Sequence, residues 1–555
     1  MKIVFPVMGA ENISVEYLST VMRDAGYEVQ VAFDRSLFDD KQYFTVPFLA
    51  RMFSETDNVV EAIVDAKPDV LAMSIFADNY KWGLDIAAKV RERCDCITVW
   101  GGIHPTSCPE DVIEENVVDY VIIGEGEAPF IELLAALESN ESPESIPNVW
   151  MKKNDQVISN KSRVNMLGKN FPAPDKTLFE NLLPMDEYYL TVTSKGCIQT
   201  CNFCMQNFLQ RWEKEQGLGM FLREKPVQDV LDELIYARDH RNVKYIDIKN
   251  NVLSGNKKWL NEFLTRYPKE VGVPFRCMGH PLLLQNPKLN LPRKLKDAGC
   301  AHVQIGIESF NPDVRKKVLG RGESDEQIIK ALDDMEAAGV RFSADLIVGL
   351  PGESEDDLIK SLHILSKYKC LVRASIFWLQ YLPEVDITKN AFEAGLIDRE
   401  SIKMMVQGEQ ENYLSTGSPM EADRERILKT YHVLFRMLPI TSEWVIKKIL
   451  STKIYKILHF IPFQVALIIF IDVIVSLVRN DYYSKWIMKW YMKHILKSIF
   501  GKANFISDVQ ASTAIQTKYT GEAGLPYGMT ATPDTGGMVA TPANEALGNL
   551  SVSAK

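Results

Sequence analysis

Residues 196 to 208 read GCIQTCNFCMQNF. Cys197, Cys201 and Cys204 place three thiols within eight positions, with no fourth cysteine nearby. A closed metal site wants four ligands. Three thiolates can hold three irons of a cubane 4Fe-4S cluster and leave the fourth iron open to a small molecule. An open position is the mark of a catalytic metal, as it is for zinc. A zinc knuckle short of one ligand and three unrelated core cysteines are the competing readings of the same residues. The chain has nine cysteines, an odd number scattered over 555 residues, and its N-terminus lacks the charged-then-apolar pattern of a signal peptide. A reducing compartment is expected, and the other six cysteines read as buried or surface thiols.

Chemistry at this spacing needs a frame. The runs YLTVTSKG, KYIDIKN, PFRCMGH, HVQIGIES, RFSADLIVGL and RASIFWLQ alternate with helical patterns such as 325–338 and 355–366. Six strands in one βα series predict a partial barrel, a (β/α)6 arrangement whose site lies at the strand C-termini. The cysteine run follows the first of these strands. Ahead of it, KIVF, EVQVA, DVLAMSIF, ITVW and DYVIIG alternate with amphipathic helices, which predicts a parallel doubly wound sheet. Ligands bind beyond the carboxyl ends of such strands. Ser74, Gly101, Gly102, His104, Gly124, Glu125, Gly126 and Glu127 stand there, rich in glycine where backbone must approach a ligand. The fold class is α/β. The expected divisions are a first domain over 1–140, a linker with a hairpin over 141–182, the barrel over 183–398, a helical region over 399–502 and a disordered tail over 503–555.

The spacing C-x3-C-x2-C, with Phe203 before the third cysteine and a barrel strand before the run, resembles the radical S-adenosylmethionine enzymes. In that superfamily the open iron is chelated by the amino and carboxylate groups of S-adenosylmethionine, and the reduced cluster cleaves the sulfonium to a 5′-deoxyadenosyl radical. The resemblance runs from about residue 189 to 381 and implies a one-electron reductant such as flavodoxin or ferredoxin. It implies Asp247 and Asn250 of KYIDIKNN near the methionine amine, Glu308 of QIGIESF as acceptor for the ribose hydroxyls, and Ile347, Val348 and Gly349 of DLIVGLPGES against adenine. Taken as residues alone, Asp247 and Asn250 are equally well a polar strand end. Glu308 ends an apolar strand, where an unpartnered carboxylate is costly, and this favours function.

The stretch GGIHPTSCPEDVIEENVVDYVIIGEGEAPFIELLAAL resembles the cobalamin-binding domain of class B radical S-adenosylmethionine proteins. That resemblance implies a Rossmann-like fold over residues 1–140 with a corrin lying across the strand ends. The signature Asp-x-His-x-x-Gly, which supplies a lower axial histidine, does not occur. Either cobalamin is bound without a protein imidazole on cobalt, which is the expectation here, or the domain has lost it and is only a scaffold. His104 is the nearest imidazole, read as a histidine that packs on backbone or binds a corrin substituent.

Toward the C-terminus, 457–478 is long enough to cross a bilayer but is interrupted by His459, Pro462, Gln464 and Asp472. Lys485, Lys489, Lys493 and Lys497 then recur every fourth residue among Trp486, Ile487, Trp490, Tyr491, Ile495 and Phe500. The segment 457–500 is therefore expected to lie on the inner face of a membrane without crossing it. A cap packed on the barrel with a solvated lysine edge is the alternative. Net charge of −10 and a pI near 5.5 leave no basic field for nucleic acid. The whole reads as a cytoplasmic, cobalamin-dependent radical S-adenosylmethionine methyltransferase acting on an unactivated carbon of a hydrophobic or lipid-like small molecule. A radical cyclase or ring-rearranging enzyme with the same cofactors, and a non-catalytic cobalamin- or cluster-binding sensor, are the alternatives.

Overall fold

The computed structural model describes residues 1–40, 44–164, 171–183, 185, 187–409, 422–461, 464–500, 504–508, 529–531 and 538–540. The first sheet contains β1 (Lys2–Met8), β2 (Glu28–Asp34), β3 (Val70–Ser74), β4 (Ile97–Gly101), β5 (Tyr120–Ile122), β6 (Val149–Lys153) and β7 (Gln156–Ser159), in the order β2-β1-β3-β4-β5-β6-β7. The first five strands are parallel. Side chains alternate across a strand, so a sheet covered on both faces needs apolar residues at every position. Ile3, Phe5, Val31, Phe33 and Val70 enter one core, while Val4, Ala32, Leu71, Met73 and Trp100 enter the other. The hairpin expected in the 141–182 stretch is β6 and β7. It does not stand apart as a linker but extends the sheet in antiparallel register, with Val121 opposite Trp150. Residues 165–170 of that stretch lie outside the described residues.

The second sheet contains β8 (Tyr188–Thr191), β9 (Tyr245–Ile248), β10 (Phe275–Gly279), β11 (Cys300–Glu308), β12 (Phe342–Val348) and β13 (Leu371–Trp378). All pair parallel and in chain order, the topology of a partial (β/α)6 barrel. The outward positions Ile246, Phe275, Val303, Ile305, Phe342 and Ala344 pack under the crossover helices. The inward positions are polar: Arg276 Nε stands 3.2 Å from Asp247, its Nη2 donates to Gln304 at 2.6 Å, and Gln304 donates to Asp345 at 2.6 Å. Helices Asp325–Ala338 and Glu355–Leu365 begin where the sequence writes a capping box, Ser324 with Gln327 and Ser354 with Asp357.

After the barrel, α1 (Ala422–Met437) packs on α2 (Gln464–Val478) through Val433, Ile468, Ile471 and Val475. Asp472, which interrupts the apolar run, lies 3.5 Å from Arg436. Among the described residues no helix is long and apolar enough to cross a membrane, and Pro462 lies outside them. The lysine-bearing helix is α3 (Tyr482–Phe500). Its tyrosines and tryptophans face inward. Tyr482 stacks on Tyr245 with centroids 4.6 Å apart, Trp486 on Tyr188 at 4.6 Å, and Trp490 and Tyr491 join the core of the first sheet. Lys489 stays exposed. The helix is thus a cap spanning both sheets, and its aromatic face is not free to enter lipid. Within the tail, Phe505 and Ser507 hydrogen-bond along β2, and 529–531 pairs with 538–540. The remainder, 509–528, 532–537 and 541–555, lies outside the described residues.

This packing makes a stability prediction. Trp490 is 6% exposed, so Trp490→Ala should cost about 3 to 5 kcal/mol in urea unfolding. Trp444, 72% exposed on the neighbouring helix Glu443–Thr452, should change stability by no more than about 0.5 kcal/mol when truncated.

Candidate active site

The cysteine loop leaves β8 through a short ladder in which Lys195 pairs with Arg223. Gly196 follows with φ of +88°, and a Cβ there would overlap the carbonyl oxygen of Phe221. Only glycine fits. Asn251 Nδ2 donates to Gly196 O at 3.0 Å, Asn202 N to Leu319 O at 2.9 Å, and Ile387 N to Asn202 O at 2.9 Å, so three loops pin the run from outside. Cys204 caps the helix Met205–Gln216 in extended conformation. Burial raises all three thiols above their ordinary range, Cys201 to about 12, and Cys204 and Cys197 lie close enough to raise Cys201 further. Among the described residues no three His, Cys, Asp or Glu side chains converge as the ligands of a single ion would. A cubane takes each thiolate on a separate iron and asks only for neighbouring thiols.

Beside this loop lies a cavity of about 810 Å³, reached by the strand ends of both sheets. Phe203 and Met205 bring the cysteine loop to its wall, Glu308, Asp345 and Ile347 come from the barrel, and Ser74, Ile103 and His104 come from the first sheet. Tyr483, Trp486, Ile487, Trp490 and Tyr491 of α3 close it. Glu308 has φ of +67°, and the β11/β12 register shifts between Gly306 and Glu308. A Cβ on Gly306 would occupy the place of Glu308 Oε1, so the glycine makes room for the carboxylate to turn inward. Arg321 Nη1 donates to that oxygen at 2.9 Å and its Nε to Glu323 at 2.8 Å, and Glu323 in turn lies 3.3 Å from His280. Burial pushes Glu308 up to about 7 even with Arg321 beside it. Val348 is fully buried and Gly349 turns at φ of +83°, so of the expected adenine trio Ile347 is the one on the cavity wall.

Other expected residues have structural work. Asp247 accepts from Tyr188 Oη and pairs with Arg276. Asn250 Oδ1 accepts from Thr193 N at 2.8 Å, and its Nδ2 donates to Thr193 Oγ1 at 2.6 Å and Leu253 O at 3.1 Å. Both side chains brace the strand ends. Gly101 and Gly102 lie behind the wall: Gly102 has φ of +104°, and an added Cβ would stand 2.6 Å from Ile75 O. His104 is 1% exposed and pushed down to about 4 by burial, with Nε2 3.5 Å from Cys108 Sγ and its ring 4.4 Å from that of Tyr80. Gly124 to Glu127 are not among the residues that line the cavity. Glu125 lies 2.6 Å from Arg223, Glu127 2.5 Å from Lys195, and Trp212 packs on Gly124, so this loop docks the first sheet onto the cysteine-bearing segment.

Residues 191–365 match the model of the radical SAM superfamily, and residues 9–134 match that of the B12 binding domain. The chain belongs to the cobalamin-binding radical S-adenosylmethionine enzymes. It is 24% identical over 64% of its length to an uncharacterised methyltransferase of Pyrococcus horikoshii, covering 73% of that protein. It is 23% identical over 70% of its length to the cytidylyl-2-hydroxyethylphosphonate methyltransferase of Streptomyces wedmorensis, covering 79% of it. The radical enzyme OxsB, solved with aqua-cobalamin and S-adenosylmethionine bound, shares the fold at a TM-score of 0.60 and 15% identity, with 92% of this chain and 77% of that one covered. The cofactors are those of the family: a 4Fe-4S cluster, S-adenosylmethionine and cobalamin. The residues fit them. Neighbouring thiols whose ionisation burial opposes exist as thiolates against a compensating cation, which cluster iron supplies. The strand ends open on a space within the usual range of cofactor pockets, roughly 300 to 1,000 Å³.

Sequence reading missed Arg321, Lys195 and Arg223, because nothing local marks them: Arg321 stands 13 residues from the carboxylate it holds. The paired tryptophans of α3 carried a signal, their spacing of four, but it also fits an interfacial helix. The role of Gly196 is testable. Gly196→Ala should lose at least half of the cluster bound on anaerobic reconstitution, measured as iron content and visible absorbance, and stability should fall by about 1 kcal/mol or more.

Proposed function

We propose that this enzyme transfers a methyl group to an unactivated carbon of a hydrophobic small molecule held between the two sheets. The observation that carries the reading is the shared cavity, on which the cysteine loop, the ends of the first sheet and an aromatic helix all border. The two relatives above, both named methyltransferases, support it. When bound, the cluster with S-adenosylmethionine supplies a 5′-deoxyadenosyl radical and cobalamin supplies the methyl group. Cys197, Cys201 and Cys204 hold the cluster through their sulfurs. Glu308, braced by Arg321, accepts from the ribose hydroxyls, and Ile347 lies against adenine with the Val348–Gly349 backbone behind it. Ser74 and His104, on the cavity wall, would hold the corrin from the side of the first sheet. Tyr188, Trp486 and Trp490 exclude water, which protects a radical from side reactions. A one-electron reductant such as a flavodoxin or ferredoxin completes the system.

Incubation without oxygen, with methyl-labelled S-adenosylmethionine, a reductant and cell lipid extract, tests this. The expected result is 5′-deoxyadenosine and S-adenosylhomocysteine together, with label in an extractable product. 5′-Deoxyadenosine without S-adenosylhomocysteine would indicate cyclisation or rearrangement, and neither product would indicate a sensor.

We also infer peripheral attachment to an anionic membrane surface, through a region other than α3. Trp444, Ile454, Ile457 and Phe460 are exposed beside exposed Lys447, Lys448, Lys453 and Lys456 on the segment from Glu443 to Phe460. Apolar side chains flanked by lysines suit a headgroup layer, where each lysine adds about 1 kcal/mol. Anionic vesicles should sediment the full chain at low salt, and Trp444→Ala with Phe460→Ala should leave most of it in the supernatant. Wild-type protein that never sediments would contradict the attachment.

A further inference from the structure

The cavity wall carries five carboxylates, Glu11, Asp78, Asp247, Glu308 and Asp345, and one lysine or arginine, Lys249. Three of these carboxylates have cations of their own: Glu11 pairs with Lys176, Asp247 with Arg276 and Glu308 with Arg321. Asp345 accepts from Gln304, and burial raises it toward the neutral form. Lys249 is different. It follows β9, on the inward side set by Asp247, and its exposed side chain faces the cavity. Among the described residues its ammonium has no hydrogen-bond or ion-pair partner; the Tyr483 ring lies 6.0 Å away. The same ring holds Arg276 at 4.6 Å, so a second cation sits just behind. Protein surrounds Lys249 on its other sides, and burial pushes its ammonium below the ordinary lysine range.

An ammonium that faces the cavity and has no partner among the described residues is available to an anion that enters it. Two carboxylates act on the ammonium from the barrel wall: Asp247 is already engaged by Arg276 and Tyr188, and Asp345 accepts from Gln304, while Arg276 adds positive charge behind. Beside Lys249 the wall is aromatic, with Tyr188 stacked on Trp486 and with Tyr483 5.7 Å from Tyr188. We propose that Lys249 anchors an anionic group, a carboxylate or phosphate, of a substrate whose apolar body lies against Tyr188, Tyr483 and Trp486. This deepens the reading of the cavity as the substrate chamber and rests on it. The substrate class is then an amphipathic acid rather than a neutral hydrocarbon. Lys249 acts by positioning: it fixes one end of the molecule at the barrel side, and the reacting carbon is set by its distance from that end. A carboxylate also belongs to S-adenosylmethionine, so the test separates the two sources.

The test uses the full chain, reconstituted with cluster and cobalamin and studied by calorimetry without oxygen. The probes are 2-naphthylacetate and 2-naphthylacetamide, which share a ring and differ in charge. Wild type should bind the acetate at least about tenfold more tightly than the amide, the scale of a hydrogen bond to a charged group. Lys249→Met should abolish that preference and leave amide binding within about twofold, whereas Lys249→Arg should keep most of it. S-adenosylmethionine affinity should stay within about twofold in both variants. Equal binding of the two probes by wild type, or a preference that survives Lys249→Met, overturns the anchor while leaving the chamber intact. Loss of S-adenosylmethionine binding in Lys249→Met with the acetate preference unchanged assigns the ammonium to the cofactor and also overturns it. Failure of both probes to bind wild type overturns the chamber reading as well.

Discussion

Lys195 and Arg223 stand against Glu125 and Glu127 at the seam between the two sheets, and the geometry of the site depends on that contact. Lys195 immediately precedes Gly196 and the cysteine loop, while the two glutamates close the loop after β5. Charges partly withdrawn from water tolerate few alternative arrangements, because each must keep its partner. The pairing therefore does more for orientation than for net stability. It sets the first sheet's strand ends facing the barrel's strand ends, and the cavity is what remains between them.

The second constraint is α3. Its Trp490 and Tyr491 belong to the core of the first sheet, while its Tyr482 and Trp486 stack on residues of the barrel. One helix thus completes both hydrophobic surfaces and walls the cavity. Two independent contacts, one ionic beside the cysteines and one aromatic on the far side, leave the sheets little freedom to rotate. A dry chamber requires this, since interactions aimed at a reacting group gain strength only where water is excluded. The polar interior below, from Asp247 through Arg276 and Gln304 to Asp345, acts as a floor whose groups are mostly engaged with one another.

Much of this was legible in the sequence because it is local. Strand alternation, the helical patterns over 325–338 and 355–366, and the three-cysteine run each depend on residues a few positions apart. The six-strand barrel and the parallel part of the first sheet followed from them. What the sequence did not reveal depends on contacts between distant segments. Gly124 to Glu127 have the look of a ligand loop, yet their charges meet Lys195 and Arg223, far along the chain. Asn250 sits where a polar ligand residue would, but a threonine 57 positions earlier takes both ends of its amide. The apolar run with Asp472 has the pattern of an interfacial helix, yet its carboxylate stands beside Arg436 from another helix. In each case the residue type was informative and its partner was not.

The central claim is that cluster and cobalamin face each other across the one cavity between the two sheets. Electron paramagnetic resonance of the reconstituted enzyme tests it most directly, by comparing the Co(II) signal with the cluster oxidised and with the cluster reduced. A cluster on the cysteine loop beside this cavity and a corrin at the first sheet's strand ends would be near enough to broaden one another, so reduction of the cluster is predicted to broaden or split the Co(II) lines. A Co(II) signal unaltered by cluster reduction would contradict the account.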